Sequence, residues 1–68
     1  MPSTSIRRHA YDEETEVLSV WFLASGSRYD YEGVPPETYA SFRAAFSKGR
    51  FFNIYIRDHY PYRLVDEA

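Results

Sequence analysis

Three cations and four aromatic rings fall within one twelve-residue run, Phe46-Ser-Lys-Gly-Arg-Phe-Phe-Asn-Ile-Tyr-Ile-Arg57. The cations are Lys48, Arg50 and Arg57, and the rings are Phe46, Phe51, Phe52 and Tyr55. Cations neutralise phosphates, and aromatic faces stack on unpaired bases. Arg43 and Arg63 extend the basic set on either side. Across residues 41–65 five cations meet a single acid, Asp58, whereas residues 1–40 carry three arginines against seven acids. The net charge of −2 therefore hides a basic C-terminal half, and local potential steers a ligand more than the average does. The competing reading is a solvated helical face with local ion pairs.

Other residue types point away from catalysis. Two histidines, His9 and His59, could share acid–base work only if they met within hydrogen-bond reach of a reacting group. The sequence places one in a strand and the other at a helix end. No nucleophile motif or glycine-rich phosphate loop occurs. Asp12, Glu13, Glu14 and Glu16 lack the spacing of a calcium loop and read as a solvated turn. With no cysteine, neither a disulfide nor a Cys-based zinc site can form. The expectation is a non-catalytic protein without cofactor or metal.

Elements must position these residues. Sixty-eight residues make one domain, expected to span 1–68 with frayed ends at 1–4 and 66–68. Ser5 to Tyr11 reads as a strand and Asp12 to Thr15 as a turn. Glu16 to Leu23 is the clearest strand, rich in β-branched and aromatic side chains. Gly26 supplies a hairpin with a residue free to take positive φ. Arg28 to Glu32 is a third strand, ended by Gly33-Val-Pro-Pro36. A helix opens at Pro36 or Glu37, with Tyr39, Phe42 and Phe46 on one face and Gly49 as a left-handed cap. A second helix runs from Arg50 to His59, with Phe52, Ile56 and Tyr60 facing the core. A short edge strand at Tyr62 to Val65 closes the chain. The class is α+β: a three-stranded antiparallel β-meander followed by two short helices packed on one face, with that C-terminal edge strand.

Three positions carry two readings each. Tyr29 and Tyr31 project from one strand face, either to stack bases or to pack beneath the helices, and packing is the favoured reading. The strand 16–23 has two apolar faces. Trp21 stands on the one the helices do not cover, so it either meets the terminal segments or forms an exposed interface patch. Asn53, polar among apolar neighbours, is expected to fix the turn from Ser47 to Arg50, with the Ser47 hydroxyl serving the same turn.

The order of these residues resembles the KTSC domain family, a module named for its place at the C-terminus of some lysyl-tRNA synthetases and also found as a free-standing bacterial or phage protein. The resemblance runs through Ser5-Ile6, Tyr11-Asp12, Leu18-x-Val20-x-Phe22, Gly26, Tyr29-Asp30-Tyr31, Val34-Pro35, Ser47-Lys-Gly-Arg-Phe-Phe-Asn53, Ile56-Arg57 and Tyr60. It implies an RNA-binding role through the synthetase association. It also singles out Tyr29, Tyr31, Ser47, Lys48, Gly49, Arg50, Phe52, Asn53 and Arg57. The leading expectation is a module for tRNA or single-stranded RNA, bound by Arg43, Lys48, Arg50, Arg57 and Arg63 with Tyr29 and Tyr31. The rival is a protein-interaction or homodimerisation module using Trp21. No apolar run is long enough to span a bilayer, and a cytoplasmic location is expected.

Overall fold

The computed structural model describes residues 5–66. The frayed ends expected at 1–4 and 66–68 lie outside these residues except for Asp66, which is exposed and without regular structure. Strands β1 (Ile6–Asp12), β2 (Val17–Phe22), β3 (Arg28–Tyr31) and β4 (Tyr62–Val65) pair antiparallel in the order β1-β2-β3-β4. Helices α1 (Pro36–Ala44) and α2 (Lys48–Phe51) lie between β3 and β4 in the chain. The α2 helix continues as a π-helical turn, Phe52–Ile56. The expected α+β class is the one observed, with the edge strand completing a four-stranded sheet.

Local chemistry sets each turn. The Asp12 carboxylate accepts the Glu14 and Thr15 amides at 2.9 and 3.4 Å, which folds the chain between β1 and β2. Gly26 takes φ +70° in the β2–β3 turn, and its amide donates to the Phe22 carbonyl. Pro36 opens α1, where the missing proline N–H is no loss. The helix stops at Ala44 because Ala45 is extended, so it never reaches Gly49. Ser47 then caps a new helix by accepting the Arg50 amide. Gly49 lies inside that helix and is not among the positive-φ residues, correcting its expected role as a left-handed cap. Phe46, caught in the break, is fully exposed and does not join Tyr39 and Phe42. In the π turn the Arg57 amide reaches back five residues to the Phe52 carbonyl.

The core sits between the sheet and the helices. Leu18, Val20, Tyr31, Val34, Phe42, Phe52 and Ile56 are buried there, flanked by Ile6, Tyr11, Phe22, Tyr29 and Tyr60. A bulge between Ile6 and Arg8 adjusts the register. It keeps Ile6 on the core side while Arg8 pairs with Trp21 on the open side.

Candidate binding surfaces

Tyr31 stands opposite Tyr62 in the β3–β4 ladder, and Tyr29 stands two pairs further along, opposite Leu64. All three point to the helix side, yet the helices leave the β4 end uncovered. Tyr62 keeps 58% of its surface exposed, while Tyr31 keeps 4%. The Tyr31 and Tyr62 ring centroids are 5.3 Å apart, and those of Tyr29 and Tyr62 are 5.7 Å apart. Phe52 meets the Tyr31 ring edge-on at 5.0 Å. These rings, with Phe22, Arg57 and Asp58, line a groove of about 390 Å³. That is within the usual size of a small-ligand site, about 300–1,000 Å³.

The Tyr31 hydroxyl is pushed up to about 12. Burial is the main cause and the neighbouring Tyr62 adds to it, against the pull of the Arg57 charge. At neutral pH it is therefore a hydrogen-bond donor and not a nucleophile. The favoured packing reading for the two tyrosines holds for Tyr31. Tyr29 is only part-buried, and it both packs on the core and faces the groove.

The remaining expected cations do not share this groove. Arg43 and Lys48 lie close enough to His9 to lower its pKa, after the larger effect of burial. His9 Nδ1 is 3.2 Å from the Tyr39 hydroxyl, and its ring meets Phe42 edge-on. Arg50 is exposed near the start of α2, where Ser47 holds its amide. Arg63 stands on the opposite side of the sheet, in register with Asp30. Asn53 is half-buried. His59 Nε2 lies 3.0 Å from the Ile54 carbonyl, so the two histidines have separate partners. Among the described residues no three His, Cys, Asp or Glu side chains gather as a metal site.

Trp21 differs most from expectation. It is 8% exposed, so it forms no open apolar patch. The Arg8 guanidinium lies over the ring at 4.2 Å from the centroid, and that of Arg28 at 5.2 Å. Beside them Asp30 accepts from Ser19 at 2.7 Å and from Arg28 Nε at 2.9 Å. Burial alone would raise the Asp30 pKa. The hydrogen bonds from Arg28 and Ser19, with the Arg28 and Arg63 charges, outweigh it and hold the carboxyl below its ordinary range. Sequence reasoning missed Arg8, Arg28, Ser19, Asp30 and Tyr62 as site residues. The alternation Arg28-Tyr29-Asp30-Tyr31 was the available signal, because it puts the charges on one face and the rings on the other.

The structure is that of a small α+β domain with a ring-lined groove on one side of its sheet and two arginines over an indole on the other. The chain belongs to the KTSC domain family, which matches residues 2–60. An uncharacterized protein of Stutzerimonas stutzeri is 42% identical over 67 residues, covering 97% of this chain and 93% of that protein. A lysine–tRNA ligase of Nostoc punctiforme is 35% identical over 57 residues. That match takes in 84% of this chain but 10% of the ligase. The crystal structure of a KTSC domain protein from Yersinia pestis superimposes with a TM-score of 0.87 at 33% identity. It is covered over 92% of its length by 97% of this chain. Among the described residues no helix is long and apolar enough to cross a membrane.

Proposed function

We propose that this chain is a non-catalytic module that binds unpaired RNA, with Tyr29 and Tyr62 offering rings to a base, Tyr31 only its hydroxyl, and Arg57 meeting a phosphate. The observation that carries this reading is the groove itself. It brings a half-exposed tyrosine, a buried hydroxyl donor and a cation to one place. Stacking on such rings tolerates any base, and a nearby arginine supplies the electrostatic part. Lys48, Arg50 and Arg43 act from outside the groove as a longer-range attraction for the strand. The synthetase relative is consistent with an RNA partner. A larger depression, about 710 Å³, is lined by Asp12, Glu13 and Glu14 against Arg43, so its net charge repels phosphates. It is the poorer candidate despite its size.

The test is an amide NMR titration with tRNA and, separately, short single-stranded RNA, at low and moderate salt. The expected result is shifts at Tyr29, Tyr31, Arg57 and Tyr62 that weaken with salt. Absence of shifts at low salt rejects the reading. The dimer alternative is checked by sedimentation of the wild type and Trp21→Ala. Because Arg8 and Arg28 already cover Trp21, a monomer at all concentrations is expected.

A further inference from the structure

The open side of the sheet carries two cross-strand rows. Arg8, Trp21 and Arg28 stand side by side on β1, β2 and β3. In the next row stand Ala10, Ser19, Asp30 and Arg63. Two guanidinium groups share one indole, and Asp30 is the only carboxylate in either row. It pairs with Arg28 at 2.9 Å. Arg8 and Arg63 make no ion pair among the described residues. A second acid on this side, Asp12, lines the same depression and keeps its charge while it accepts from the turn amides. The small side chains of Ala10 and Ser19 leave a shallow depression of about 380 Å³ beside Arg28, Asp30 and Arg63.

We infer that this face binds the phosphodiester backbone of a nucleic acid strand, with Arg8 and Arg63 as phosphate ligands and Arg28 held between Asp30 and Trp21. Among the described residues three arginines against two acids, Asp12 and Asp30, leave a net positive charge, and a guanidinium fork matches a phosphate bidentately. Guanidinium groups already lie over the indole, so bases are not stacked here. The face reads charge and not sequence. A peptide gains less from it, because β2 and β3 are paired on both sides and offer it no free edge. The surface is distinct from the tyrosine groove, which lies across the sheet, and the two can fail separately.

Trp21 is the only tryptophan, so its indole N–H resonance reports on this face alone. The experiment adds a dodecameric oligouridylate at low and moderate salt, and in parallel an oligoglutamate of equal charge. The expected result is a saturable indole shift with the oligouridylate that fades with salt and is much weaker with the oligoglutamate. Arg8→Ala with Arg63→Ala weakens that response by about tenfold or more and lowers the salt slope by about 1.4. Arg8→Lys, which keeps the charge and loses the fork, falls between and guards against misfolding of the double variant. An indole that stays still while Tyr29, Tyr31 and Tyr62 shift overturns this inference and leaves the groove intact. An equal response to oligoglutamate overturns the assignment to phosphate. Silence of both sets of resonances rejects both surfaces.

Discussion

The two faces of one sheet are covered by different physics. On the helix side, rings and aliphatic chains from α1, α2 and the π turn bury Leu18, Val20 and Tyr31 by excluding water. On the open side Trp21 lies beneath two arginines, Arg8 and Arg28. The first arrangement is non-directional and large in energy. The second is directional, smaller, and sensitive to charge. A face held by burial can spare a tyrosine only at its rim, as at Tyr62.

This contrast can be broken most forcefully from the helix side. Phe52→Ala removes a ring from the buried core and is expected to cost about 3–5 kcal/mol. In a domain this small that loss unfolds much of the population, as urea denaturation followed by circular dichroism will show. On the open side Asp30→Ala removes the carboxylate that pairs with Arg28 and accepts from the Ser19 hydroxyl. The expected loss is about 1–3 kcal/mol by the same assay. Arg8→Ala uncovers one face of the indole and costs about 0.5–1 kcal/mol, with a red shift of Trp21 emission. If Arg8→Ala proved as damaging as Phe52→Ala, the contrast between the faces would be wrong.

Acid separates the faces by pH. His9, on the helix side, has a lowered pKa in the folded protein, so the unfolded chain takes up its proton first. Its contribution is complete above about 6.5 and is lost as pH falls through the lowered value. Asp30, on the open side, is also lowered, and its contribution is complete above 3.8 and lost on further acidification. Stability therefore falls in two windows. His9→Gln is expected to flatten the upper one and Asp30→Asn the lower one in thermal melts across pH.

Much of the framework was legible in the residues. Val17 to Phe22 is rich in β-branched and aromatic side chains, and Gly26 takes the positive φ that its hairpin needed. Phe52, Ile56 and Tyr60 face the core as their spacing suggests. The break after Ala44 was harder, because the apolar period Tyr39, Phe42, Phe46 continues through it. The local cap at Ser47 wins over that pattern. The widening into a π turn has no compositional signature in Phe52 to Ile56. The cover over Trp21 depends on register, since Arg8 and Arg28 are remote in sequence and meet only through β2. For the same reason the five cations read as one patch separate, with Arg57 at the groove, Arg43 and Lys48 near His9, and Arg63 across the sheet.

The central functional claim is that the rim of the tyrosine groove grips an RNA base. Tyr62 tests it best, because its ring is largely exposed and its loss should leave the core standing. The measurement is the affinity of wild type and Tyr62→Ala for a fluorescent oligouridylate, by anisotropy at fixed salt. The account predicts a loss of about 1–3 kcal/mol, or roughly five- to 150-fold, with an unchanged circular dichroism spectrum. Equal affinity of the two folded proteins would contradict it.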